Sequence, residues 1–465
     1  MSSPSPSSRP LYRTTIALDA LVEAAAALRE ANAAFAARYP GDSPGRQPVH
    51  VVYGGANRFT WNVANKLGGL AIRSLETHLP TPAALGDALG IATHASLATI
   101  RDRVMEKLLR EPVEDYRVDF EDGYGSRPDD EEDRDAGRVA QELAEGMRRG
   151  SLPSFIGIRV KPLSEETRAR SVRTLDIILT ALAARDGLPD GWVITLPKIT
   201  LVEQVQYFVA VAGILERELG LGIGSLRFEI MVEAPQVIVD RRGRSLLPSF
   251  VDAAEGRLRG AHFGAYDYTA ACDITASCQR MRHPSCEFAK AAMQAALAGT
   301  GVRLSDGATS VMPLPVHHAV AGGAPLTERQ IAENTDAMRA AWRLHFDDVR
   351  HSLAGGFYQG WDLHPAQLIS RYAAVFSFFL EGINDAGARL RNFVESAAQA
   401  TLVGNTFDDA ATGQGLLNFF LRGVNSGAIT EAEALATTGL TTEEIRGRSF
   451  TNILSRRAAI PTSAA

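Results

Sequence analysis

"WVITLPKITLVEQVQYFVAVAGILERELGLGIGSLRFEIMVEAPQ", residues 192–236, holds one complete strand–helix–strand passage. Residues 192–199 form a short apolar run that closes on Pro197 and Lys198. Residues 201–220 carry a helical pattern, and 226–235 is apolar again, with Phe228, Ile230 and Val232 alternating. Two short strands separated by a helix need a crossover connection, which makes them parallel neighbours. The second strand ends oddly. A carboxylate, Glu233, stands at its tip, just before Pro235 stops the ladder.

The same unit recurs along the chain. Apolar segments occur at 49–55, 116–123, 155–162, 192–199, 226–235, 258–267, 309–316 and 360–367, with helical patterns between most of them. Alternation repeated this often predicts an α/β fold, a (β/α)8 barrel with parallel strands. The rival is a doubly wound open sheet, which would show a glycine-rich first turn. The nearest candidate, "GLGIGS" (220–225), follows a helix and has the wrong spacing. No phosphate-cradling G-x-x-x-x-G-K-[ST] motif is present either.

The expected organisation has three parts. Residues 1–13, rich in Ser and Pro, read as disordered. Residues 14–375 form the barrel domain, opened by an amphipathic helix over 14–40 with Ile16, Leu18, Leu21 and Leu28 on one face and Pro40 at its end. Residues 376–465 read as a helical extension or lid without strands. Hydrophobic residues at 45% and charged residues at 22% are ordinary for a globular protein. The net charge of −6, with no long basic run, argues against nucleic acid or an anionic membrane as partner. Three cysteines are too few to staple 465 residues and suit a reducing compartment, so a cytoplasmic location is expected.

Chemistry in such a barrel sits at the C-terminal strand ends. There the sequence places Asp119, Glu121 and Asp122, then Arg159 and Lys161, then Lys198, Glu233 and Asp267, and finally Asp362 and His364. Bland readings exist for several. Arg159 and Glu121 make a plausible structural ion pair, Asp122 and His364 suit capping, and Lys198 can extend its ammonium to the rim. Glu233 and Asp267 resist such readings. They end neighbouring strands about 5 Å apart, and two carboxylates so close repel unless a cation lies between them. A pair of carboxylates plus waters is a usual cage for Mg²⁺. The set Cys272, Cys278, His283 and Cys286 does not follow a zinc spacing and reads as a loop with small thiols.

"DFEDG", "IRVK", "LPKI", "MVEAP", "HFGAYDYT" and "GFYQGWDLHPAQL", in this order, resemble the motifs of the HpcH/HpaI aldolase and citrate lyase beta-subunit superfamily, which includes the malyl-CoA lyases. The resemblance covers about residues 49–375. It implies Mg²⁺ held by Glu233 and Asp267, with Arg159, Glu121 and Asp122 at the reaction centre and Arg58 matching the arginine after strand one. Trimers or hexamers are also implied. The chain departs from the pattern at Lys161, where citrate lyase-like members carry Asn, and in the long passage between strands one and two.

Together these readings lead to a Mg²⁺-dependent carbon–carbon lyase or aldolase that works through the enolate of an acyl-CoA or a small 2-oxo or hydroxy acid. Arg159 adds fixed positive charge. Glu121, Asp122 and His364 compete as acid or base. Arg58, Lys161 and Lys198 are the substrate-binding candidates. The alternatives are a phosphoenolpyruvate- or pyruvate-utilising enzyme on the same barrel, and a non-catalytic binding module.

Overall fold

The computed structural model describes residues 15–16, 21–41, 43, 45–91, 96–319, 323–396, 401–403, 406–408, 410–447 and 453. The segment 1–13 expected to be disordered lies outside them. Eight parallel strands close into a barrel in sequence order: β1 (His50–Gly55), β2 (Asp115–Asp119), β3 (Phe155–Arg159), β4 (Trp192–Leu196), β5 (Phe228–Val232), β6 (Leu258–Phe263), β7 (Arg303–Ala308) and β8 (Gln359–Trp361). β8 pairs back onto β1 through Gly360 opposite His50.

Helices follow each strand. Helix α1 (Val22–Arg38) precedes the barrel. The long β1–β2 passage is filled by α2 (Val63–His78), α3 (Pro82–Leu89) and α4 (Leu97–Arg110). Next come α5 (Asp129–Arg149), α6 (Arg168–Ala183), α7 (Val202–Glu218), α8 (Pro235–Ile238), α9 (Leu247–Ala253), α10 (Ala265–Ala271), α11 (Pro284–Leu297) and α12 (Glu328–Ala354). Period-two alternation explains the layering. Val118, Ile158, Ile194 and Ile230 are fully buried in the apolar layer beneath the helices. The other strand face fills the barrel with polar groups. Arg117 donates to Thr195 Oγ1 (3.0 Å) and Glu229 Oε2 (2.7 Å), and His262 Nε2 lies 3.0 Å from that same oxygen.

α13 (Gln367–Glu395) begins beside the mouth, runs unbroken across residue 375 and packs on α12 and α4. On it sit α14 (Ala410–Asn425) and α15 (Glu431–Thr438), and α16 (Thr442–Gly447) packs against both of these. Among the described residues no helix is long and apolar enough to cross a membrane.

Four expectations need correction. Strand seven is Arg303–Ala308, and residues 309–316 form the loop after it. The strand is polar because Asp306 turns outward to Lys290 (3.1 Å) and Ser352 (2.6 Å), while the loop exposes Val311, Leu314 and Val316. The tail contains a short antiparallel hairpin, β9 (Thr401–Val403) with β10 (Thr406–Asp408). Helix α1 buries none of its side chains: Leu28 and Phe35 are both more than 60% exposed, so it is not amphipathic toward a core. The acidic run 128–135, whose charge leads one to expect a solvated helix start, is not wholly solvated, since Glu132 is buried against Lys161 and Thr174.

Candidate active site

The mouth is built outward from Arg159 at the end of β3. Asp119, at the end of β2 and paired with it in register, accepts two parallel bonds from Arg159 Nε (2.7 Å) and Nη2 (2.6 Å). This fork geometry fixes the guanidinium plane. Asp119 also accepts from the Glu121 and Gly123 N–H groups, which folds "DFEDG" over the barrel rim. The rings of Tyr53 and Trp361 lie 4.8 and 5.6 Å from the guanidinium. Tyr53 Oη and Trp361 Nε1 are buried with no hydrogen-bond partner among the described residues.

Arg159 then turns Nη1 toward Glu121 Oε2 at 3.0 Å and Asp122 Oδ2 at 3.8 Å. Lys198, on the turn after β4, sets its ammonium against Glu121, against Asp122 Oδ1 (3.2 Å) and 4.0 Å from Asp267 Oδ1. Its backbone N–H donates to Glu233 Oε2 at 2.8 Å. Burial opposes the Lys198 charge, but Glu121, Asp122 and Asp267 outweigh it and hold the proton more firmly than usual.

Glu233 follows β5 directly and Asp267 lies in the first turn of α10. The neighbour of Glu233 across the strands is Gly264, where a Cβ would come within 2.3 Å of the Glu233 side chain. Glycine is required there so that the carboxylate can lie over β6. Glu233 is only 5% exposed. Burial first, and then the Asp267 charge, push its carboxyl up to about 8. Burial also raises Glu121, whereas its hydrogen bond with Glu121 and the charges of Arg159 and Lys198 outweigh burial at Asp122 and lower it.

The donor set is all oxygen. Among the described residues no group of three or more His, Cys, Asp or Glu side chains is placed to hold a metal ion. Glu233 and Asp267 are the oxygen donors that could hold a metal here, and an all-oxygen pair left open to water fits the chemistry of Mg²⁺ better than that of a metal needing a closed cage.

Arg159, Glu121, Asp122, Lys198, Glu233 and Asp267 therefore come together. The remaining residues from the sequence do not join them. Lys161 points its ammonium at the Phe120 carbonyl (2.7 Å) and Glu132 (3.1 Å), bracing α5. His364 uses Nδ1 to accept the Ala366 N–H at 3.2 Å, beside the start of α13, and burial lowers its pKa. Arg58 is exposed on the single turn after β1. Asp362 is fully buried between His50 (3.1 Å), His345 (3.0 Å) and Arg371 (2.7 Å). His283 accepts the Ser285 N–H (3.2 Å) at the start of α11, beside the buried Cys286. Sequence reasoning gave no role to Tyr53 and Trp361. Their only signal was an aromatic at a strand position facing the barrel interior. A cavity of about 1020 Å³ lies elsewhere, between α4 and the C-terminal helices. Arg103 and Lys107 in its wall are already paired with Glu433 and Glu111.

Residues 28–453 match the family described as "Domain of unknown function (DUF6986)". The chain belongs to that family. Comparison with curated proteins finds no match. Among solved structures, a citrate lyase from Burkholderia xenovorans LB400 superposes with a TM-score of 0.54 at 19% identity, over 85% of this chain and 98% of that one. CitE from Mycobacterium tuberculosis, in complex with magnesium, acetoacetate and coenzyme A, gives 0.44 at 13% identity, over 83% and 99%. Haloferax volcanii malate synthase with glyoxylate gives 0.43 at 14% identity, over 88% and 100%. The similarity to the citrate lyase is one of fold, and it agrees with the superfamily resemblance carried by the strand-end motifs.

Proposed function

We propose that the barrel mouth is a Mg²⁺-dependent lyase or aldolase site that makes or breaks a carbon–carbon bond beside a carbonyl. The substrate class is an acyl-CoA thioester or a small 2-oxo or hydroxy acid, as the superfamily resemblance implies. The observation that carries this reading is the placement of Glu233, buried at the tip of β5 with Gly264 leaving room for its carboxylate, beside Asp267 in the first turn of α10.

Glu233 and Asp267 would hold the ion. When bound, it supplies a Lewis acid that stabilises the enolate oxygen. The chain's own residues do the rest. Arg159, locked by Asp119 and walled by two aromatic rings, offers a fixed positive group toward the reacting carbonyl without reorganising. The aromatic wall also keeps water from that guanidinium. Glu121 and Asp122 have proton affinities pushed in opposite directions, the pattern of an acid–base pair. Asp122, lowered and exposed, stays ionised and takes the proton at its carboxylate. Glu121, raised by burial and set between Arg159 and Lys198, is the second group placed to carry a proton. His364, folded against the α13 terminus, takes no part.

A thermal-shift screen tests this reading. Mg²⁺ is combined in turn with acetyl-CoA, pyruvate, glyoxylate, oxaloacetate and phosphoenolpyruvate. A ligand that raises the melting temperature only with Mg²⁺ supports it, because binding to the folded form stabilises by mass action. Stabilisation by none of them, with Mg²⁺ itself inert, contradicts it.

A further inference from the structure

Lys198 reaches four acids of the mouth at once. Its N–H is fixed to Glu233 Oε2 at 2.8 Å, while its ammonium meets Glu121 and Asp122 (3.2 Å) and lies 4.0 Å from Asp267. To do this it adopts a φ of 51°, a left-handed backbone that long side chains seldom take. Such a conformation persists where the surroundings enforce it, commonly at functional sites. The ammonium is not sealed in, since the side chain is 35% exposed. Backbone and head are therefore separate devices. The N–H orients a metal-site carboxylate, and the head can swing on its flexible stem without disturbing that bond.

We propose that Lys198 is a tethered cation that competes with a divalent ion for the acids of the mouth and must move aside when the ion binds. The inference rests on the reading of Glu233 and Asp267 as the metal pair. Nζ already lies 4.0 Å from Asp267 Oδ1, so a cation on the two carboxylates would share that acid with it, and two positive groups brought close together repel strongly where water is scarce. The lysine keeps the acids together without metal and lowers affinity for the ion. Metal loading then frees the ammonium toward solvent and substrate. This differs from a purely structural brace, whose loss would let the acids spread and weaken metal binding.

Titration calorimetry with MgCl₂ alone on the full chain tests it. Lys198→Met removes the charge and keeps the length. It should bind Mg²⁺ about ten-fold tighter than wild type, or about 1.4 kcal/mol. Lys198→Arg keeps the charge and should bind close to wild type. Lys198→Asn serves as a second neutral variant, because Asn tolerates the left-handed backbone best among non-glycine residues. It too should tighten binding, which covers the case in which the Met variant does not fold. Wild type that binds Mg²⁺ together with a folded neutral variant that binds no tighter overturns the inference and leaves the metal reading standing. No Mg²⁺ binding by wild type or any variant overturns both.

Discussion

Glu233→Gln in the metal-free protein gives the sharpest prediction. The substitution removes the charge and keeps an acceptor for the Lys198 N–H, now 2.8 Å from Oε2. In the folded chain the carboxyl is pushed from 4.5 up to about 8 by burial and by Asp267. The native state thus holds this proton more firmly than the unfolded chain does. The stability this group contributes is fully present below pH 4.5 and is lost as pH rises through about 8. The difference corresponds to roughly 5 kcal/mol at most, at about 1.36 kcal/mol per pH decade. At only 5% exposure, solvent screening takes little from it. Urea denaturation in EDTA at pH 5.5 and pH 8.5 is the assay. Wild type should lose stability between the two, and the variant should exceed wild type at pH 8.5 by about 2 kcal/mol or more. Added Mg²⁺ should then restore the wild type and leave the variant unchanged. A difference between the proteins that is the same at both pH values would refute the reasoning.

Two further outcomes are expected. Arg159→Lys loses the fork that Asp119 holds at 2.6 and 2.7 Å, so kcat on the substrate found by the ligand screen should fall about 10²–10³-fold with the melting temperature little changed; a variant with wild-type kcat would remove Arg159 from the chemistry. Asp362→Asn leaves Arg371 and two histidines buried without their anion, and urea denaturation should show a loss of about 3–5 kcal/mol. An unchanged midpoint would mean that this buried cluster does not hold α12 and α13 to the barrel.

Much of the barrel was legible because most of its strands carry the apolar face that helices must cover. β7 was not. Its outward residue Asp306 is satisfied by Lys290 from α11 and Ser352 from α12, partners distant in sequence, so the polar "RLSDGA" looks like a loop. Just beyond it, the apolar "TSVMPLPV" looks like a strand although Val311, Met312, Leu314 and Val316 are exposed. Hydrophobicity reports burial only when the burial is apolar. The same limit hid the role of Lys161, whose ammonium is claimed by Glu132 on α5. The site acids were legible because position alone selects them. Strand ends five and six are neighbours in any eight-stranded barrel of this order, which brings Glu233 near Asp267. Gly264 marked the close approach. The wall of Tyr53 and Trp361 was not legible, because their meeting depends on closure of β8 onto β1 and on ring orientation.

The most direct measurement is a crystal structure of the full chain soaked in MnCl₂, read by anomalous scattering. Manganese takes the place of magnesium among oxygen ligands. The expected result is one strong peak within coordination distance of Glu233 and Asp267, with the Lys198 ammonium moved off Asp267. A mouth without a peak, with Lys198 still seated on its acids at millimolar Mn²⁺, would contradict the assignment.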